Sequence, residues 1–282
     1  MALDDQRSEE CEVDSQASSR RSVRSTLRPR RVVLLGASNL TRGISTVVET
    51  AQGVWGSPLE VLAALGHGRS YGLRSRVLGR ELPGITGCGL WHDLAARPPA
   101  ETAALVTDIG NDLLYGASVP TILAWVAESL DRLTALGART VMTLLPLASV
   151  EALSEWRFKI ARTCAFPKSR ARFGEILEQA RDLNAGLARL ATEQHVHIVE
   201  QRGAWYGFDA IHIRLRHWRT AWAEILAPWS DAPIAAHAVR GSLTRWLYLR
   251  SLPPLERKLF GRARRAAQPS GRLRDGTTIA LY

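Results

Sequence analysis

The chain has 282 residues, of which 46% are hydrophobic, and this is enough apolar material for the core of one large domain or two small ones. Its formal net charge of +10 is unevenly spread. Residues 231–282 hold 10 Arg and Lys against 3 acids, whereas residues 32–230 hold 20 against 18, so the composition argues against a nucleic-acid-binding function for the whole protein.

The cysteines and the N-terminus exclude further classes. Cys11, Cys88 and Cys164 are odd in number and lack CxxC spacing, so neither a disulfide framework nor a zinc site is expected. The N-terminus is acidic and polar, which disfavours a secretory signal, and no apolar run approaches the ~20 residues of a membrane-spanning helix. We therefore expect a soluble globular protein of a reducing, cytoplasmic compartment.

The hydrophobic pattern divides the chain into three parts. Residues 1–30 are rich in charge and serine, which predicts a disordered N-terminal segment. From residue 31 onward, apolar runs alternate with stretches of helical period, and the predicted strands are RVVLLG, LEVLAALG, AALVTDIG, RTVMTLLPL and VHIVEQ. The predicted helices include residues 41–52, 119–136, 173–190 and 218–226, with Ser118 as the cap of the second.

Five strands that are apolar throughout and separated by helices predict a parallel sheet covered on both faces. The expected fold class is therefore α/β, a three-layer α/β/α sandwich with a five-stranded parallel sheet over residues 31–230. A basic C-terminal extension follows at residues 231–282. Ligands bind such sheets beyond the carboxyl ends of the strands, so we expect a site in the loops after the strands.

Polar residues follow the predicted strands in four blocks, which are GASN, GHGRSYG, GNDLLYG and GAWYGFDAIH. They supply the parts of an acyl-transfer triad: Ser38 as nucleophile, His212 as its base and Asp209 to orient the base. The N–H groups of Ser38 and Gly68 and the side-chain amide of Asn111 would form an oxyanion hole. These residue types predict a serine hydrolase that acts on a carboxylic ester.

The same four blocks, in this order, resemble the SGNH (GDSL-like) hydrolase family. GAS is similar to the family's Gly-Asp-Ser block, GHGRS to its glycine block, IGND to its Gly-x-Asn-Asp block and DAIH to its Asp-x-x-His block. The resemblance covers residues 31–230 and implies a flavodoxin-like sandwich, an esterase activity and no metal or organic cofactor. It also implies that the substrate is a small-molecule, carbohydrate or lipid ester.

Three positions depart from the family pattern. Ala37 stands where the family has aspartate, Ile109 where it has glycine, and Ile213 where proline is common. In the glycine block, Gly66 is an alternative to Gly68. These departures leave the nucleophile, the base and the donors in place, but they affect the assignment of subfamily and substrate.

Each candidate also has a structural interpretation. Ser38 is a favoured helix cap, Asn111 can shape a turn, and Asp209 and His212 can form a surface pair. The alternative function is a catalytically silent SGNH-like domain that uses the basic extension as a contact surface. The four blocks together favour the hydrolase.

A nucleotide-dependent enzyme is less favoured, because no glycine lies between Gly36 and Gly43. His195 and His197 alternate on one predicted strand, but no third ligand lies near them, so a structural role is favoured over a metal site. His67 is interpreted as a polar loop residue.

Two segments have no assigned role. Residues 151–170 are either a lid over an acyl pocket or a helix and loop that pack on the body, and packing is favoured. Residues 240–267 alternate arginine with apolar residues, and we expect them to dock on the domain rather than contact a membrane. No nucleic-acid partner is expected, and the sequence does not predict the oligomeric state.

Overall fold

The computed structural model describes residues 29–157, 159, 163, 172–230, 239 and 241–282. The segment predicted to be disordered, residues 1–30, lies outside these ranges except for residues 29 and 30. Arg30, the second of these, already begins the first strand. Most of residues 158–171 also lie outside the described ranges.

The described strands form two sheets. They are β1 (Arg30–Leu35), β2 (Leu59–Ala64), β3 (Ser75–Val77), β4 (Arg80–Leu82), β5 (Glu101–Val106), β6 (Arg139–Thr143), β7 (His197–Val199), β8 (Glu256–Leu259), β9 (Arg262–Arg265), β10 (Gly271–Arg272) and β11 (Thr278–Leu281). The larger sheet has the order β10-β11-β2-β1-β5-β6-β7, and all its neighbouring pairs are parallel except β10 with β11. The smaller sheet is antiparallel, in the order β3-β4-β8-β9.

Helices cover both faces of the larger sheet. They are α1 (Ser38–Trp55), α2 (Leu90–Ala95), α3 (Asn111–Leu114), α4 (Val119–Ala135), α5 (Leu147–Glu151), α6 (Phe173–Glu193), α7 (Trp218–Leu226) and α8 (Leu243–Ser251). The four predicted helices are confirmed as α1, α4, α6 and α7. Ser118 caps α4 as predicted, because its Oγ accepts a hydrogen bond of 3.3 Å from Thr121 N. Within the described ranges, no helix is long and apolar enough to cross a membrane.

The side chains of β1 show why the larger sheet is buried on both faces. Val32 and Leu34 pack into a core with α1 and α7, whereas Val33 and Leu35 pack into a core with α2, α4 and α6. Successive side chains of a strand point to opposite faces, so a strand that is apolar throughout needs a helical layer on each side. The predicted three-layer α/β/α sandwich is confirmed.

The predicted number of strands is wrong. The five predicted strands are β1, β2, β5, β6 and β7, and they follow the 2-1-3-4-5 order of a flavodoxin-like sheet, but the basic extension adds β10 and β11. β11 pairs in parallel with β2, where Ile279 lies beside Val61, 218 residues earlier in the chain. A four-residue run so far from its partner carries no local pairing signal. The separation of residues 31–230 from residues 231–282 as domain and extension stays a prediction.

The smaller sheet connects two distant parts of the chain. Its strands β3 and β4 lie between β2 and α2, whereas β8 and β9 belong to the extension, and Arg80 of β4 pairs with Leu259 of β8. Leu82 of β4 packs closely on Gly66, where an added Cβ would lie 2.4 Å from the Leu82 Cδ1 atom. One face of the smaller sheet therefore covers the loop that follows β2.

Candidate active site

Ser38 is the first residue of α1 and follows the carboxyl end of β1. The turn between them is tight, because a Cβ at Gly36 would lie 2.7 Å from Thr107 Cγ2 in the loop after β5. Ala37 occupies the N-cap position of α1 and has no side-chain cap bond. Ser38 is therefore not the helix cap, and its hydroxyl is available for another partner.

That partner is His212. The Ser38 Oγ atom lies 2.8 Å from His212 Nε2, and His212 Nδ1 lies 2.5 Å from Asp209 Oδ2. An ionised carboxylate only accepts hydrogen bonds, so Nδ1 carries the imidazole proton and Nε2 accepts from the serine hydroxyl. The structure thus brings the three residues, which come from loops 171 positions apart in the chain, into one hydrogen-bonded series.

The charge of Asp209 is favoured by its neighbours. Burial opposes ionisation of this carboxyl, but the hydrogen bond with His212 and the charges of His212 and Arg42 hold its pKa below the usual value. Arg42 Nη1 lies 4.0 Å from Asp209 Oδ2. The carboxylate that orients the imidazole is therefore ionised at neutral pH.

Asp108, in the loop after β5, caps α1 from outside the helix. Its Oδ2 atom accepts hydrogen bonds from the backbone N–H groups of Ala37 at 2.9 Å, Asn39 at 3.0 Å and Leu40 at 3.3 Å. A carboxylate in this position satisfies N–H groups that a helix leaves free and lies at the positive end of the helix dipole. Among the described hydrogen bonds, none uses the N–H of Ser38, which lies between these donors.

Asn39 fixes the loop that carries His212. Its Nδ2 atom donates to Ile211 O at 2.8 Å and its Oδ1 atom accepts from Ile213 N at 2.9 Å, so the amide holds the backbone on both sides of the histidine. The same Nδ2 donates to Asp108 Oδ1 at 2.8 Å. Asn39 therefore connects the serine helix, the loop after β5 and the histidine loop.

The two predicted oxyanion donors lie in neighbouring loops that contact each other. Asn111 begins α3, lines the same cavity as Ser38, and donates from Nδ2 to Arg69 O at 3.3 Å. Gly68 has a φ of 61°, and its carbonyl accepts a hydrogen bond of 2.6 Å from the Tyr115 hydroxyl. The oxyanion role of both residues stays a prediction.

Asp112 ties the loop after β2 to α3. It is fully buried, accepts from the Ser70 hydroxyl, and accepts from Tyr71 N at 2.9 Å. Burial raises its pKa to about 6 although both hydrogen bonds favour the charged form. The loop that holds Gly68 is thus anchored by a buried carboxyl group.

An apolar cavity of about 420 Å³ opens beside Ser38 and His212. Its walls come from the loops after β5, β6 and β7 and from α5 and α6, and they include Leu113, Leu114, Leu144, Leu145, Val150, Leu153, Ile176 and Phe208. Leu153 and Arg157 belong to the segment for which a lid or a packed helix was expected, and both line the cavity. The rest of that segment lies largely outside the described residues.

Asn39, Asp108 and the cavity were not predicted from the sequence. The available signal for Asp108 was a charged residue near the end of an otherwise apolar predicted strand, next to the block that contains Asn111. For Asn39 it was an amide immediately after the candidate nucleophile. The cavity walls come from residues 38–39 and from several stretches between residues 108 and 212, so no local pattern identifies them.

His195 and His197 lie away from this site. His195 is in the turn before β7 and His197 begins this strand, at the end of the sheet opposite the carboxyl ends. In the described part of the chain, no three His, Cys, Asp or Glu side chains come close enough together to hold a metal ion.

No protein-family model matches the chain, and no curated protein matches it. Among solved structures, it is similar to an acetyl xylan esterase, AlAXEase, at 11% identity and a TM-score of 0.46, over 70% of this chain and 98% of that one. It is similar to TesA at 14% identity and a TM-score of 0.45, over 71% and 97%. It is also similar to the psychrotrophic esterase EstA from Pseudoalteromonas sp., inhibited by monoethylphosphonate, at 10% identity and a TM-score of 0.43, over 70% and 95%. Likeness at this level assigns neither a family nor an activity to the chain.

Proposed function

We propose that the chain is a serine hydrolase of the SGNH type that cleaves a carboxylic ester. The observation that supports this most is the hydrogen-bonded series from Asp209 through His212 to Ser38. A surface pair of histidine and aspartate needs no third member, whereas here the free ring nitrogen faces a serine hydroxyl at a strand end. A hydroxyl becomes a useful nucleophile only when such a base takes its proton.

In the first half of the reaction, Ser38 Oγ attacks the ester carbonyl and its proton passes to His212 Nε2. The carbonyl oxygen gains a negative charge in the tetrahedral intermediate. His212 then gives the proton to the leaving alcohol, the carbon–oxygen bond to the alcohol breaks, and an acyl group remains on Ser38. Asp209 stabilises the imidazolium that forms between these two transfers.

The oxyanion is stabilised by donors that must already point at it. We assign the backbone N–H groups of Ser38 and Gly68 and the Asn111 amide to this role. The capping pattern of α1 supports the first assignment, because Asp108 takes the N–H groups on either side of Ser38 and leaves that of Ser38 itself free. In the second half, His212 takes a proton from water while the water oxygen bonds to the acyl carbon. His212 then returns the proton to Ser38 Oγ as the acyl–serine bond breaks, which releases the acid and restores the serine hydroxyl.

The cavity beside Ser38 is the place for the acyl chain. Its leucine-rich walls offer an acyl chain an apolar environment, and burial of each CH₂ group contributes about 0.8 kcal/mol to binding. We therefore propose that the acyl half is an aliphatic chain longer than acetyl.

The test is hydrolysis of p-nitrophenyl acetate, butyrate, octanoate and laurate by the full chain. Activity should peak at octanoate, and Ser38→Ala should lower kcat by at least about 10⁴-fold. Ser45→Ala is the matched control, since Ser45 is a buried serine on the same helix whose hydroxyl has no hydrogen-bond partner among the described residues. Equal activity of the Ser38→Ala and Ser45→Ala proteins would exclude the proposed nucleophile.

A further inference from the structure

Ser38 lies at the boundary between two unlike surfaces. On one side is the apolar cavity over the carboxyl ends of β5, β6 and β7. On the other side, over β2, the loop after β2 meets the smaller sheet and α8. Three arginines lie on this side, Arg80, Arg250 and Arg257, and the charges of Arg257 and Arg250 both act on Arg80. We call them the arginine cluster.

Helix α8 brings Arg250 to the loop after β2. Arg250 Nη2 lies 3.5 Å from His67 Nε2, and its guanidinium carbon lies 4.7 Å from the centre of the Trp246 ring. Trp246 Nε1 in turn donates a hydrogen bond of 2.9 Å to the carbonyl of Arg42, which is one turn after Ser38 on α1. These contacts hold Arg250 beside the end of α1 that carries the serine.

Strand register places the other two arginines on the same side. Arg80 pairs with Leu259 across β4 and β8, so Arg80, Leu82 and Arg257 belong to one face of the smaller sheet. Leu82 packs on Gly66, which fixes this face over the loop after β2. Arg80 and Arg257 therefore lie on the face of the smaller sheet that contacts this loop, while Arg250 contacts it from α8.

His67 lies half-buried near two arginines of this cluster. Burial and then the charges of Arg250, His212, Arg80 and Arg42 lower the pKa of His67 to about 4. The imidazole is therefore neutral at pH 7 and can accept a hydrogen bond from Arg250. It adds no further positive charge to the cluster.

No acidic side chain forms an ion pair with the arginine cluster in the part of the chain that is described. Glu81 lies on the opposite face of the smaller sheet, 3.3 Å from Lys258. The Arg80 Nε atom is buried without a hydrogen-bond partner among the described residues, which costs free energy. Burial, followed by the charges of Arg257, Arg69 and Arg250, lowers the pKa of Arg80 only to about 10, so it stays charged at pH 7.

We propose that the arginine cluster binds a phosphate monoester on the alcohol half of the substrate. This proposal rests on the proposed function, and together the two make the substrate an ester of an aliphatic acid and a phosphate-bearing alcohol. A phosphate monoester carries a charge of about −1.5 to −2 and three acceptor oxygens. Three guanidinium groups therefore suit a phosphate monoester better than a single carboxylate, which has one charge and two oxygens. The phosphate is a recognition group only: the bond that breaks is the acyl ester at Ser38, and the phosphate leaves with the alcohol.

The first experiment compares two esters that differ only in the phosphate, octanoyl glycerol phosphate and octanoyl glycerol. The full chain should show a kcat/KM for the phosphate ester at least about tenfold above that for the neutral ester. Arg250→Gln, and Arg80→Gln with it, should reduce this ratio by at least about tenfold. Arg189→Gln, an exposed arginine on α6, is the control for loss of one positive charge and should keep the ratio. A wild-type ratio near one would overturn the proposal.

The second experiment measures binding without catalysis. Calorimetry should show that glycerol phosphate binds the Ser38→Ala protein and the parent alike, that glycerol does not bind, and that Arg250→Gln weakens binding by about tenfold. Arg250 is exposed on α8, so this single variant should fold even if the double variant does not. Glycerol phosphate binding without hydrolysis of either ester would contradict the proposed function and support the cluster. Hydrolysis of both esters at equal rates without glycerol phosphate binding would do the reverse.

Discussion

The two surfaces beside Ser38 differ in origin as well as in chemistry. Apart from Ser38 and Asn39, the residues that line the apolar cavity lie between residues 108 and 212, in the loops after β5, β6 and β7 and in the helices that pack on them. The arginine cluster is built from two parts of the chain far apart in sequence, β4 and the segment with α8 and β8. The two sides of Ser38 therefore come from different parts of the chain, so each can be changed by substitution without the other.

The arginine side depends on the C-terminal segment, and Ile279 tests this dependence. Ile279 is fully buried in the core between β11 and α1, so Ile279→Ala should lower the free energy of unfolding by about 3 kcal/mol. Urea unfolding measures the change. Arg274→Ala, in the exposed turn before β11, should stay within about 0.5 kcal/mol. A similarly small effect for Ile279→Ala would mean that β11 is not part of the cooperative core.

Asn39 stands at the boundary between the two sides, and its loss should affect catalysis more than binding. Asn39→Ala removes the hydrogen bonds on both sides of His212, and a misplacement of about 1 Å in a catalytic group can cost about 100-fold. We expect kcat to fall by about that factor with little change in KM. A purely structural role would instead lower the free energy of unfolding and leave kcat per folded molecule the same.

Asp112 on α3 accepts hydrogen bonds from the loop after β2, and its burial predicts that the free energy of unfolding depends on pH. Its pKa is raised to about 6 in the folded protein from 3.8, so the folded state binds more protons than the unfolded state between these values. Stability from this group is therefore present below pH 4 and is lost as the pH rises through 6. Between pH 4 and pH 6.5 this group should lower the free energy of unfolding of the parent by an amount on the order of 2 kcal/mol, and the Asp112→Asn protein should lack this decrease. Urea unfolding at both pH values measures it. An identical pH dependence in parent and variant would contradict the assignment.

Val150 sharpens the description of the apolar side. It lies on α5 in the cavity wall, so Val150→Phe should shorten the space for an acyl chain. We expect the ratio of kcat/KM for p-nitrophenyl octanoate to that for the acetate to fall by about tenfold, since several CH₂ groups lose their apolar contacts. A ratio that stays the same would place the acyl chain elsewhere.

Much of this arrangement follows from the sequence because parallel strands end at one edge of the sheet. The positions of Ser38, Asn111, Asp209 and His212 after predicted strands were enough to predict that they face one edge, and the strand order of the five predicted strands is confirmed. Their catalytic roles stay a prediction, now proposed on the hydrogen-bond geometry.

The remainder depends on contacts that leave no local pattern. Arg80 meets Arg257 only because β4 pairs with β8, and neither strand is apolar enough to be recognised by hydrophobic period. Asp108 caps a helix 70 residues earlier in the chain, so its role is visible only when β1 and β5 lie side by side.

In the proposed reaction Ser38 acts as an activated nucleophile, and covalent labelling reports on its reactivity. The full chain would be treated with a fluorophosphonate probe at pH 8, digested, and mapped by mass spectrometry. We expect one phosphonylated residue, Ser38, no label in the Ser38→Ala protein, and full labelling of the Ser45→Ala control. An unlabelled parent protein, or a label that persists after Ser38→Ala, would contradict it.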